Sequence, residues 1–451
     1  MGSMTAQLPP GPREPAALQM SEWIVRPTAL LRRCHARYGE PFTLRIGWSD
    51  APMVFITDPA DIKRVFAADS DVLRAGASST VLEPFAGPRS ILLLDGADHL
   101  RQRRLMLPPF HGEALAGWRE TIAQLAADEL DSWEPGTPVR AHRRMHTLTL
   151  EVILRVVFGS GDPELRDAIR RALDMTTSLP RLVAMSLMQD RAGPWRTFMR
   201  AVRDLDAVIY DRIERGGDDG SVMALLRSAR HEDGSPPTRE EMRDQLVTLL
   251  AAGHETTAGA LGWALERLAR HPEVLARLRT GGDEYLDAVV KEVLRVRPVL
   301  SIVGRKAMVP FEVGGWTLPP GVHVTPCIYL THRRPDLWED PTAFRPERFL
   351  AGAPEPYTFI PFGGGTRRCL GAAFATLEMR EVLRAVAERF ELRPDRADGE
   401  RMRRRAITLT PARGGYVVPE ALASEALPHA DVLPSQPTDR QLPDLQPRPA
   451  G

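Results

Sequence analysis

Lysine is nearly missing from this chain: of 59 basic residues, only Lys63, Lys291 and Lys306 are lysine. With 40 prolines beside it, this arginine bias reads as a mark of GC-rich bacterial coding rather than of function. Net charge is missing as well, since 59 acidic residues bring the formal sum to +0. Such a balance excludes a general attraction to nucleic acid or to an anionic membrane surface. Cysteine is scarce, and Cys34, Cys327 and Cys369 cannot build a disulfide framework, which fits a reducing cytoplasm. No apolar run approaches the ~18 residues of a membrane span. No secretory signal pattern opens the chain, and Met1-Gly2-Ser3-Met4 reads as a cloning scar ahead of a native start at Met4. What is present is enough for a large core and a solvated surface, at 43% hydrophobic and 26% charged residues.

The apolar spacing is helical over most of the length. Leu8-Pro9-Pro10-Gly11-Pro12 forms a stiff lead-in, and a short amphipathic helix is predicted from Met20 to Tyr38. Phe42 to Trp48 and Met53 to Thr57 read as a hairpin turning through Ser49-Asp50-Ala51-Pro52, and Leu73 to Arg89 as a mobile loop. Helices follow from Gly112 to Arg230, with breaks at Glu134-Pro135-Gly136, Gly159-Ser160-Gly161 and Gly216-Gly217. Thr238-Arg239-Glu240-Glu241 is a capping box that starts a long helix running to Arg270. A strand from Val299 to Arg305, hairpins between Phe311 and Cys327, and a strand pair at Ala406–Thr410 and Tyr416–Val418 close the pattern. Beyond Glu420 a polar segment punctuated by Pro428, Pro434, Pro437, Pro443, Pro447 and Pro449 reads as extended or disordered.

Two stretches carry chemistry. In Pro361-Phe362-Gly363-Gly364-Gly365-Thr366-Arg367-Arg368-Cys369-Leu370-Gly371, glycines deliver one cysteine to the start of a helix. Unpaired amide groups and the helix dipole there favour an anion, so the Cys369 thiol is expected to ionise more readily than a free one. A thiolate so placed is either a nucleophile, which needs a nearby base, or a metal ligand. The second stretch, Ala251-Ala252-Gly253-His254-Glu255-Thr256-Thr257, sits mid-way along the long helix. Glycine, paired threonines and a charge are poor choices there, and a local rule broken inside an element points to function. The plainer account is a packing notch with threonines bonded back to their own helix.

The first stretch resembles the cysteine-loop signature of the cytochrome P-450 superfamily, Phe-x-x-Gly-x-Arg-x-Cys-x-Gly, at every defined position. The second is similar to that family's oxygen-activation motif. Glu292 and Arg295 fit its Glu-x-x-Arg pair, with Arg348 of Pro346-Glu347-Arg348-Phe349 completing a buried triad. His99 and Arg103, four apart on one helix face, fit its propionate-facing pair. The resemblance spans nearly the whole chain, and it implies the following expectations. The fold is mainly α with a small β region, a triangular helical prism holding haem b between the long helix and the cysteine-loop helix. Residues 1–19 are a lead-in, 20–420 one catalytic domain and 421–451 a tail.

For the site, the resemblance makes Cys369 the axial iron ligand. It places His99, Arg103, Arg305 and Arg367 on the propionates, and Phe362, Gly365 and Gly371 along the macrocycle. Ala252 and Gly253 open a groove for dioxygen, Thr256 hydrogen-bonds to the activated oxygen, and Glu255 links it to solvent protons, while His254 holds a variable position. Ser90, Ile91, Leu249, Ala252, Leu300, Ile302 and Ile407 line a lipophilic substrate pocket under a lid at Leu179–Pro194. Arg101, Arg104, Arg368, Arg380 and Arg384 offer a basic face to a ferredoxin or flavodoxin served by an NAD(P)H-dependent reductase. The implied activity is oxygen-dependent hydroxylation or epoxidation of a fatty acid, terpenoid or polyketide-like compound by a monomer without a membrane span. Competing readings are a peroxide-using haem-thiolate hydroxylase, a haem-binding sensor or carrier without turnover, and a haem-free cysteine hydrolase.

Overall fold

The computed structural model describes residues 8–46, 51–177, 193–217 and 220–422. The lid at Leu179–Pro194 falls almost wholly outside them, as do part of the first hairpin's turn and the tail from residue 423.

One helix, Arg239–Leu268, runs through the middle of the core. Its start is the capping box: the Glu241 N–H donates to Thr238 Oγ1 at 3.2 Å, and the Thr238 N–H donates to Glu241 Oε2 at 2.8 Å. Two amides that would otherwise lack partners are thereby satisfied. Thr238→Ala removes one of these bonds and is expected to cost about 1 kcal/mol in a urea unfolding curve at unchanged slope. A cost below about 0.3 kcal/mol would mean that the tertiary packing alone sets this end of the helix.

Buried Leu246, Val247, Leu250, Leu261, Trp263 and Leu265 join this helix to two others, Ala141–Phe158 and Ala372–Arg389. Glycines allow the closest approaches. A Cβ at Gly253 would meet Ile153 Cδ1 at 2.8 Å, and one at Gly262 would meet the His142 Cα at 3.1 Å. Gly253 therefore lets the crossing helix Ala141–Phe158 pack close, and its missing side chain faces that helix instead of opening a groove for dioxygen.

Several predicted boundaries change. The N-terminal helix is two, Ala16–Val25 and Pro27–Tyr38, because Pro27 lacks the amide needed to continue the first and sits at the first position of the second. Phe42–Leu44 and Met53–Ile56 pair antiparallel, and the second runs parallel to His323–Pro326 in a five-stranded sheet. The span from Leu73 to Arg89 is ordered, with a short strand at Leu73–Arg74, single turns and the helix Glu83–Ala86. Of the expected 299–305 strand, Leu300 makes an isolated bridge to Thr408 and Arg305 opens the observed strand Arg305–Ala307. The last two strands do not pair with each other. Thr408–Pro411 pairs with Met402–Arg405, while Tyr416–Ala421 joins Phe390–Pro394 and Val139–Arg140. Among the described residues no helix is long and apolar enough to cross a membrane.

Candidate active site

The cysteine loop holds its shape without help from the thiol. Gly363 and Gly365 have φ of +67° and +65°, which side-chain-bearing residues rarely adopt. A Cβ at Gly364 or Gly365 would run into Phe66, from its ring or its carbonyl. Gly365 is thus required by the chain's own helix Pro59–Ala67, and not by a planar ligand passing it. Gly371 differs: among the described residues nothing beyond its chain neighbours lies within 4 Å of where its Cβ would be. The Cys369 N–H donates to the Phe362 carbonyl at 2.9 Å, closing the loop onto Phe362, which packs against the main core.

Cys369 stands three residues ahead of the helix Ala372–Arg389. Its side chain is exposed, yet surrounding protein desolvates it, which places the sulfur on an internal cleft. Burial pushes the thiol up, and the Gly371 amide with Arg103 and Arg368 only partly offsets this. The expectation of a readily ionised free thiol is therefore corrected: desolvation outweighs the helix end, and a cationic partner such as a metal is needed to make it a thiolate.

An excess of cationic groups gathers beside it. Arg367 donates to Asp95 Oδ1 at 2.5 Å and to the Ile91 carbonyl at 2.9 Å. Arg103 donates to the Arg368 carbonyl at 2.9 Å, and Arg305 donates to the Gly304 carbonyl at 2.8 Å beneath the Phe66 ring. Among the described residues neither Arg103 nor Arg305 has a carboxylate partner, although Arg305 is only 9% exposed. Burial, reinforced by Arg367, lowers Arg305 to about 10. His99 is lowered to about 4 by burial and by the neighbouring Arg367 and Arg103, so it is neutral at pH 7. Unpaired buried arginines are costly. With Asp95 the one acid among them, the cluster suits a ligand bearing two carboxylates.

The short segment 89–95 ties this loop to the central helix. Arg367 grips its far end, while the Ile91 N–H donates to Gln245 Oε1 at 3.0 Å and Ser90 shares a 2.7 Å hydrogen bond with Thr248. Glu378, on the helix following Cys369, is buried beside Thr257, and burial pushes its carboxyl well up. Mid-helix, Ala252 is exposed and Thr256 partly so, between buried stretches on either side, which opens that face onto a cleft. Thr256 Oγ1 donates to the Ala252 carbonyl at 2.7 Å.

Glu255 faces elsewhere, toward partners that sequence reasoning missed. His146 Nε2 lies 2.9 Å from its Oε2, and Arg405 Nε 3.1 Å from its Oε1. Burial alone would raise this carboxyl, but the His146 hydrogen bond and the Arg405 charge win and hold it at about 2. The signal available was the pair His142 and His146, one turn apart on a helix. Asp95, the partner of Arg367, had no such signal.

The remaining site residues fall into two groups. Arg295 donates to both Glu292 oxygens at 2.7 Å, and Arg348 Nε to Glu292 Oε1 at 3.2 Å, so the three lie together. Of the pocket residues, Leu300 and Ile407 come together through the Leu300–Thr408 bridge, with Ile407 52% exposed beside the turn. Leu249 is partly exposed on the central helix. Ser90 is fully buried with its hydroxyl spent on Thr248, Ile91 is buried in the core, and Ile302 packs on the N-terminal cluster around Trp23. Ser90 and Ile91 do not offer a free surface to a ligand, while Ile302 is partly exposed. Of the arginines expected on a basic face, Arg101, Arg104, Arg380 and Arg384 pair with acids, while among the described residues Arg368 has no acidic partner and lines a groove with Phe362, Arg119 and Thr376.

The residues fit haem: a sulfur on a cleft, unpaired cations for two propionates, and open space at Gly371. The family model described as cytochrome P-450 matches residues 9–418. The chain is 40% identical over 437 residues to a Mycobacterium tuberculosis protein named cytochrome P-450 135B1, covering 92% of each. It is 39% identical over 427 residues to Mycobacterium bovis cytochrome P-450 138, covering 91% of this chain and 96% of that one. Its fold is similar to that of the retinoic-acid-bound cyanobacterial CYP120A1, with a TM-score of 0.82 at 23% identity over 93% of this chain and 100% of that one. The chain belongs to the cytochrome P-450 family, a haem-thiolate monooxygenase with haem b as its cofactor.

Proposed function

We propose that this monooxygenase takes two electrons from a separate ferredoxin or flavodoxin and uses dioxygen to hydroxylate or epoxidise a lipophilic small molecule, through one catalytic domain spanning residues 20–420. The observation that carries the reading is the open mid-helix face at Ala252 and Thr256, with Glu255 turned the other way to His146 and Arg405. Thiolate-ligated haem supplies the electron density that favours O–O cleavage. The chain's part is to admit the substrate, hold water back and deliver protons in order.

Thr256 presents a hydroxyl to the cleft, and its bond to the Ala252 carbonyl fixes which way the proton points. Glu255 stays charged between His146 and Arg405 and serves as a point of transit from the solvent side. Cys369 would hold the iron, and His99, Arg103, Arg305 and Arg367 the propionates. The aliphatic Leu249, Leu300 and Ile407 favour an apolar substrate of fatty-acid, terpenoid or polyketide-like kind. Unpaired Arg368, beside Phe362 on its groove, supports docking of an acidic electron carrier there.

Thr256→Ala tests this reading. With a surrogate ferredoxin and its reductase, NAD(P)H consumption should continue while product per NAD(P)H falls about tenfold or more, with hydrogen peroxide accounting for the missing electrons. Coupling unchanged in the variant would remove Thr256 from the proton path. Wild-type turnover driven by hydrogen peroxide alone, at the rate of the reconstituted system, would favour the peroxide-using alternative.

A further inference from the structure

The crossing helix Ala141–Phe158 brings a second donor cluster against the central helix, away from the cysteine loop. His146, His254 and Glu255 each offer a ligating atom, and these atoms all lie within 4.8 Å of one another. The His146 and His254 rings meet edge to face, with centroids 4.8 Å apart. His254 is 1% exposed, and its Nδ1 lies 2.7 Å from the Leu250 carbonyl, which fixes that nitrogen as the donor. Its Nε2 is consequently a bare lone pair, and among the described residues it has no partner. A buried imidazole nitrogen without a partner is an unmet cost and the form in which histidine binds metals.

We propose that His146, His254 and Glu255 form a site for a divalent transition metal of the zinc type, separate from the haem. Two imidazole nitrogens and one carboxylate oxygen are the donor set of open zinc sites. Zinc bonds of about 2.0–2.1 Å span donor separations of roughly 3.3–3.5 Å, so the cluster closes with side-chain shifts of about an ångström. Arg405 already holds Glu255 Oε1, leaving Oε2, now 2.9 Å from His146 Nε2, to face the ion. On binding, the His146 proton moves from Nε2 to Nδ1, which leaves the Nε2 lone pair and the Glu255 oxygen to face the metal between them. His142, one turn earlier, whose Nε2 has no partner among the described residues, stands as a further imidazole 6.2 Å from the His146 ring. The nearby guanidinium opposes a cation, so micromolar rather than nanomolar affinity is expected. A metal there would also withdraw Glu255 from proton transfer, a consequence that rests on the role proposed for Glu255 above.

The test uses untagged, haem-loaded enzyme, stripped with a chelator and dialysed against buffered zinc. About one zinc per haem should be retained at about 10 μM free zinc. His146→Gln and His254→Gln should each retain less than about a tenth of that. The thiolate band of the reduced carbon monoxide complex and the melting curve verify that each variant is folded, and His146→Gln, at the more exposed position, stands if His254→Gln is not. Retention equal to wild type in a folded variant, or no retention by wild type at about 100 μM, overturns the site. Retention without loss of product per NAD(P)H leaves the site standing and overturns the role given to Glu255.

Discussion

Replacing Cys369 with serine is expected to abolish turnover and to remove the band near ~450 nm that thiolate-ligated haem shows when reduced under carbon monoxide. The fold should survive, because nothing that shapes the loop depends on sulfur. Its left-handed glycines, its contact with Phe66 and its hydrogen bond from the Cys369 amide to the Phe362 carbonyl are all backbone or hydrophobic features. A serine hydroxyl in the same desolvated position does not supply a thiolate, so the axial push on the iron is lost. The measurement is the reduced, carbon-monoxide difference spectrum of both proteins beside their unfolding midpoints. Retention of the wild-type band in Cys369→Ser would sink the ligand assignment, and loss of band together with collapse of the midpoint would show that the loop is less self-supporting than its geometry implies.

Glu292→Leu is expected to destabilise the enzyme by ~3–5 kcal/mol, since it leaves the Arg295 charge buried and unpaired. Both side chains are fully buried. Arg295 also donates to the carbonyls of His332, Pro341 and Ala343 at 3.0, 2.8 and 2.9 Å, and the Arg345 N–H donates to Glu292 at 2.8 Å. The effect should reach the haem site through His332. Its Nε2 accepts from the Ile360 N–H at 2.9 Å, two residues before Phe362. Haem release to apomyoglobin should therefore quicken in parallel with the loss of stability. Pairing Glu292→Leu with Arg295→Met removes the stranded charge but leaves three carbonyls without a donor, so the double variant should recover only part of the loss. A single-variant cost under about 1 kcal/mol, or full recovery in the double, would contradict this account of the triad.

Much of this was legible along the chain because the chemistry is local. The cysteine loop, the capping box and the mid-helix Glu255-Thr256 pair are each a few consecutive residues whose types are awkward anywhere else. The two errors of detail in those stretches share a cause. Gly253 and Gly365 are where the chain must be small, but a sequence does not say what presses against a glycine. In the fold it is Ile153 and Phe66, residues 100 and 299 positions away. Position alone suggests Ser90 and Ile91 for the pocket, whereas burial, and for Ser90 the hydrogen bond with Thr248, commit them to the interior.

By itself, then, the order of residues determined which cysteine the family's motif singles out, where the central helix starts and which cations are available for an anionic cofactor. The tertiary structure decided how those groups are charged and to whom they are joined. Desolvation raises Cys369 and neutralises His99, while His146 and Arg405, brought in from another helix and a distant strand, keep Glu255 ionised. A charge state depends on burial and on every neighbour within a few ångströms, and neither exists until the chain has folded.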